Sequence, residues 1–142
     1  MPTILDATVV NQAYDTSGNG GRKLVRLSNG WLVAAVFDSS NNKLKFYKSE
    51  DNGNTWAFLI EENATSTGFS IISKGNRVYF VYAVGSSVLH FWFDADNTAV
   101  SGRTSIDVSQ TSTGNVSLAI NESGTELHAA WASKNSTYPN SF

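Results

Sequence analysis

The chain has 142 residues, a formal net charge of −2 and no cysteine, which excludes disulfides and thiolate metal sites. The length suits one domain with its own core. A near-neutral charge without a basic cluster argues against nucleic acid and anionic membranes as partners, and no apolar run is long enough to insert into a bilayer. We expect no cofactor and no metal site.

The first predicted element is a strand over residues 3–10, followed by a flexible glycine-rich turn over residues 17–21. β-branched and aromatic residues are abundant throughout the chain, and turn residues punctuate it at short intervals. No stretch shows the helical spacing of apolar residues. These features predict an all-β protein.

Three apolar runs recur along the chain, each after a turn rich in Gly or Asn. They are Leu32–Val36, Val78–Tyr82 and Leu127–Trp131. A shorter apolar strand precedes each turn: Leu24–Leu27, Phe69–Ile72 and Val116–Ile120. The last residues of the three runs are 46 and 49 residues apart. A repeat of about 40–50 residues with four short strands is typical of a β-propeller blade.

The repeat divides the chain into an N-terminal strand and loop (1–19), blade one (20–62), blade two (66–109) and a partial blade three (112–142). About two and a half four-stranded antiparallel blades do not close a ring, and they leave unpaired strand edges. We therefore expect either a homo-oligomer or the remainder of a longer chain to complete the ring. The strand over residues 3–10 is expected to pair with another strand.

A strong motif lies between two strands of blade one, in which Ser49, Asp51, Gly53, Thr55 and Trp56 spell S-x-D-x-G-x-T-W. The aspartate is expected to accept hydrogen bonds from N–H groups of the loop. The glycine permits positive φ, and the threonine adds a hydroxyl bond. The tryptophan ring is expected to fold beneath the turn as a hydrophobic plug.

A degenerate copy of this motif is expected in blade two. Leu44–Tyr47 aligns with Leu89–Trp92, which places Asp51 on Asp96 and the second acidic residue at Asp94. This copy keeps the acidic turn and lacks the tryptophan.

The motif resembles the Asp-box, or BNR repeat, of sialidase-like β-propellers, and residues 22–35 resemble the first blade of sialidases. The resemblance implies a propeller fold. It also implies that Arg22 contacts a sialoside carboxylate and that Asp38 lies near the position of the family's acid/base residue. Leu24 stands where the family has proline.

Each of these two residues has an ordinary alternative: Arg22 as a surface or inter-strand arginine, and Asp38 as a turn residue. The family's two other arginines and its Tyr–Glu nucleophile pair cannot be assigned in this sequence. We therefore expect the isolated chain to be catalytically silent on sialosides.

Three functions remain open at this stage. The first is a non-catalytic glycan-binding or structural propeller module of a phage tail or cell-surface protein, with Trp31 and Trp92 as ligand contacts. The second is the N-terminal fragment of a sialidase-like exo-glycosidase, and the third is a protein-interaction scaffold. An extracellular, cell-surface or virion location fits the first, although residues 1–6 do not begin a signal peptide.

Overall fold

The structure is a computed structural model that describes residues 21–64, 68–84, 86–96, 100–107 and 112–134. Every regular element in these ranges is a β-strand, so the prediction of an all-β protein is confirmed. No helix among the described residues is long and apolar enough to span a membrane. The strand predicted over residues 3–10 lies outside the described residues.

The ten strands form three antiparallel sheets in sequence order, β1-β2-β3-β4, β5-β6-β7-β8 and β9-β10. The first two sheets have four strands each, and the third has two. The strands are β1 (Leu24–Arg26), β2 (Leu32–Asp38), β3 (Lys43–Ser49), β4 (Ala57–Asn63), β5 (Phe69–Lys74), β6 (Arg77–Val84), β7 (Ser87–Asp94), β8 (Thr104–Asp107), β9 (Ser112–Ile120) and β10 (Leu127–Lys134).

The second sheet is covered on both faces, because it packs between the first and the third. The larger core joins the first two sheets, with Phe46 of β3 against Phe80 of β6 at its centre. A smaller core joins the second and third sheets through Val81, Ala83 and Val116. This arrangement explains why β6 is apolar at nearly every position, since neighbouring residues of a strand point to opposite faces.

The first strands of the three sheets come together. The Ile71 N–H of β5 donates to the Arg22 carbonyl at 2.9 Å, and the Arg22 N–H donates to Ser70 Oγ at 3.1 Å. Gly21 lies where no side chain fits, because a Cβ there would be 2.6 Å from the Val116 carbonyl oxygen of β9 and closer still to that of Phe69. The first strands of all three sheets therefore meet at Gly21.

The strand register corrects the expected alignment of the two outer hairpins. Leu32 pairs with Ser49 in the first sheet, and Val78 pairs with Phe93 in the second. With Leu32 equivalent to Val78, Asp51 falls on Ala95, not on Asp96. The cause is the connection between the second and third strands of each sheet, which is two residues shorter in the second (85–86) than in the first (39–42).

Candidate functional site

The loop between β3 and β4 is closed by the side chain of Asp51. Its Oδ1 accepts hydrogen bonds from the Thr55 N–H and from Ser49 Oγ, both at 2.8 Å, and its Oδ2 accepts one from Thr55 Oγ1 at 2.7 Å. The Gly53 N–H donates to Ser49 Oγ at 2.7 Å. These bonds, led by those from Thr55, lower the pKa of Asp51 to about 2.

Backbone shape in this loop depends on two residues with positive φ, Asn52 at 60° and Gly53 at 90°. The Trp56 ring is half-buried and lies against the turn, 3.8 Å from where a Cβ of Gly53 would be. Its indole N–H donates to the Gly53 carbonyl at 3.1 Å. The ring therefore helps to close the loop by a partly buried hydrogen bond.

Substituting Asp51 with alanine should lower the melting temperature by several degrees, because the Thr55 N–H and both hydroxyls lose their acceptor. Glu50→Ala is the matched control, because this neighbouring side chain is exposed and makes a surface ion pair with Lys48. Differential scanning calorimetry measures both. Equal melting temperatures for the two variants would contradict a closing role for Asp51.

The effect of Asp51→Ala should also depend on pH. The folded state lowers the pKa from 3.8 to about 2, so the carboxylate stabilises the fold fully above about pH 4. This stabilisation is lost as the pH falls through about 2. The melting-temperature gap between the wild type and Asp51→Ala should therefore narrow between pH 4 and pH 2, and a constant gap would contradict the charge-based explanation.

Arg22 and Asp38 lie at the end of the sheets opposite this loop, Arg22 just before β1 and Asp38 at the end of β2. Asp38 is buried, and its Oδ2 contacts Lys45 Nζ at 2.7 Å and accepts a hydrogen bond from Asn41 Nδ2 at 2.8 Å. The Lys45 contact, followed by Asn41, lowers the pKa of Asp38, so the carboxyl group is ionised and engaged. Such a group acts poorly as a general acid. The Arg22 side chain is exposed.

Trp31 and Trp92, in contrast, lie at the same end as the Asp51 loop, and each is covered by a cation. Lys48 Nζ sits 4.3 Å from the centre of the Trp31 ring, and the Arg77 guanidinium carbon sits 3.6 Å from that of Trp92. In the corrected register, Trp31 is equivalent to Arg77 and Lys48 to Trp92. The two sheets thus carry the same pair with the cation and the aromatic ring exchanged between strands.

The cation of the pair in the second sheet, Arg77, lines a polar cleft. Asp94 accepts two hydrogen bonds from Arg77, at 2.7 and 3.1 Å, and this contact lowers the pKa of Asp94. Asn76 Nδ2 donates to Asp96 Oδ2 at 3.4 Å. The cleft has a volume of about 430 Å³, and its lining residues are Lys74, Asn76, Arg77, Tyr79, Asp94 and Asp96.

A second cleft, which we call the apolar cleft, lies between the second and third sheets, beside the polar cleft. Tyr79 lines the polar cleft and His90 lines the apolar one, and their rings lie 6.3 Å apart and nearly parallel, at 11°. The apolar cleft measures about 480 Å³ and is lined by His90, Thr104, Ile106, Leu127, His128, Ala129 and Trp131. We refer to the two clefts together as the groove.

A different cleft, between the first two sheets, contains an ion pair between the buried Glu62 and the exposed Arg103. Tyr82 lies beside this pair, and burial, followed by the Glu62 charge, raises its pKa to about 12. Sequence reasoning could not assign a glutamate to any tyrosine, because Glu62 and Tyr82 are on different sheets. The phenol is protonated and fully buried, so it is part of the core.

Sequence reasoning identified two residues of this groove, Asp94 and Asp96, and also Trp92, whose ring lies under Arg77. It missed the groove residues Arg77, Tyr79, His90 and Trp131. Strand pairing places Arg77 opposite Asp94 and Tyr79 opposite Trp92. The described residues contain no group of three or more His, Asp or Glu side chains arranged to hold a metal ion. A comparison with models of known protein families gives no match, and neither does a comparison with curated protein sequences.

Proposed function

We propose that the chain is a non-catalytic glycan-binding module of a sialidase-like Asp-box β-propeller on a virion or cell surface. The observation that carries this proposal is the groove, in which carboxylate, amide and guanidinium groups lie beside aromatic rings. Sugars present hydroxyl groups around the edge of the ring and C–H groups on its faces. A binding site for them accordingly combines hydrogen-bonding side chains with aromatic surfaces.

The propeller arrangement is supported by the three sheets in sequence order, by the meeting of their first strands at Gly21, and by the repeated register. The bonds around Asp51 supply a physical reason for the Asp-box pattern. A catalytic role finds less support, because Asp38 is held as a carboxylate by Lys45. Retaining or inverting glycosidases need a second carboxyl group that faces the same bond.

The test is a glycan array of neutral, acidic and N-acetylated sugars, followed by calorimetric titration of the glycans that bind. Arg77→Ala should weaken binding about tenfold or more, the effect of losing a charged hydrogen bond. Lys48→Ala is the matched control, because it removes the equivalent cation from Trp31 in the first sheet. The proposal fails if no glycan binds at millimolar concentration, or if the two variants weaken binding equally.

We also propose that copies of the chain associate. Alternate residues on the outer face of the third sheet, Ser117, Ala119, His128 and Ala130, are exposed, whereas the equivalent face of the second sheet is covered. A sheet of the same type in a second copy would cover this outer face. Light scattering should therefore give a mass above the 15.4 kDa of a single chain at micromolar concentration. A stable monomer with a cooperative melt would contradict association.

A further inference from the structure

We infer that the groove takes an oligosaccharide of at least two units, and that the unit in the apolar cleft carries an N-acetyl group. This inference rests on the proposed function and deepens it. It follows from the different chemistry of the two clefts and from their adjacency.

The polar cleft fits the hydroxyl groups of one sugar unit. Its lining is almost entirely hydrogen-bonding, with Asn76, Asp94 and Asp96 as acceptors and Lys74 and Arg77 as donors. Hydroxyl groups satisfy both kinds of partner, since each can donate and accept.

The apolar cleft fits a unit with both an apolar and an amide group. Ile106, Leu127 and Ala129 provide aliphatic surface, and Trp131 provides an aromatic face. Thr104 adds an exposed hydroxyl group, and His90 Nε2 is buried with no hydrogen-bond partner among the described residues. An acetamido group offers a methyl group to the aliphatic side chains and an amide that can hydrogen-bond to Thr104 and His90. A bare hydroxyl group offers only the second kind of contact.

The two clefts are close enough for one chain of sugars. Tyr79 lines the polar cleft and His90 lines the apolar one, and their ring centres are 6.3 Å apart. A single glycosidic step covers a distance of this order. Binding in both clefts joins two weak contacts in one molecule, so a longer ligand should bind more tightly than its single unit.

The experiment is calorimetric titration of the full chain with three probes: N-acetylglucosamine, its β-1,4 trimer chitotriose, and cellotriose, which has the same length without acetamido groups. Chitotriose should bind at least about tenfold more tightly than either of the other two, the usual range for one well-placed apolar group. Equal affinities for chitotriose and cellotriose, or for chitotriose and the monosaccharide, would overturn the inference.

Variants locate the contact. Ile106→Ser should weaken chitotriose binding and leave cellotriose binding unchanged, because Ile106 is on an edge strand, is 42% exposed and can change without disturbing the core. Val100→Ser is the matched control, an aliphatic residue of 52% exposure that lies outside the groove. Equal effects of the two variants would place the ligand elsewhere.

Failure of this inference and failure of the proposed function can be told apart. If array glycans bind in an Arg77-dependent way while chitotriose does not, the module binds sugars and the acetamido assignment is wrong. If no glycan binds at all, both are wrong. Trp131→Ala, with its melting temperature measured in parallel, adds a second readout on the wall of the apolar cleft.

Discussion

Phe80→Ala is expected to lower the free energy of unfolding by about 3–5 kcal/mol, the range for a large aromatic side chain removed from a packed core. The Phe80 ring is fully buried at the centre of the core between the first two sheets. Its centre lies 4.7 Å from those of Phe46 and Phe91 and 6.3 Å from that of Phe93. Because these rings come from both sheets, alanine leaves a cavity at their interface.

Phe58→Ala provides the control for this substitution. Its ring is 54% exposed and makes an edge-on contact with Tyr47 at 5.9 Å, so the same chemical change should cost much less. Urea denaturation measures both variants. A similar loss for Phe58→Ala and Phe80→Ala would show that the two sheets do not pack through Phe80.

Gly21→Ala should lower the stability about as much as Phe80→Ala does, but through a steric clash and not through a cavity. The new methyl group would lie 2.6 Å from the Val116 carbonyl oxygen and 2.9 Å from Ser70 Cβ, with the Phe69 carbonyl oxygen nearer still. Backbone atoms cannot rotate away as side chains do, so the three sheets would have to separate locally. We expect the free energy of unfolding to fall by more than the roughly 1–3 kcal/mol that is usual for overpacking.

The control for Gly21 is Gly102→Ala, because a Cβ at Gly102 meets no atom within 4 Å. Thermal melts of both variants should show a large drop for the first and almost none for the second. Unchanged stability of Gly21→Ala would mean that the first strands of the three sheets do not meet at this residue.

The strands that cross the core were the easiest to predict from sequence. β2, β6 and β10 each contain an apolar run that follows a Gly or Asn turn, and the structure places strands there. β8 gave no comparable signal, because its sequence Thr-Ser-Ile-Asp contains a single apolar residue. Its place depends on pairing with β7, a long-range contact that local sequence does not encode.

The alignment of the outer hairpins failed for a related reason. Leu44–Tyr47 and Leu89–Trp92 are similar in sequence. Their pairing with the preceding strand depends, however, on the length of the connection between the second and third strands of each sheet. A shift of one residue turns every side chain to the other face of a sheet. Phe46 and Phe91 consequently lie in the same core on two different sheets, although the sequence match made them equivalent.

The groove was only partly predictable. Trp92 was identifiable as a large aromatic residue in a strand, but its cation, Arg77, precedes it by a whole hairpin. Trp131 joins the groove from a third sheet. Residues so far apart in sequence come together only through sheet packing, which periodicity does not reveal.

The two-sided burial of β6 has a consequence for how the molecule opens. Separating this strand from its neighbours exposes both hydrophobic cores at once, so its amide protons exchange with solvent only through global unfolding. The edge strands β4 and β8 of the four-stranded sheets should open locally at a lower free energy than global unfolding requires. Local opening is thus expected at edge strands such as β8. The groove is therefore lined both by β6, which stays in place, and by β8, which can open locally.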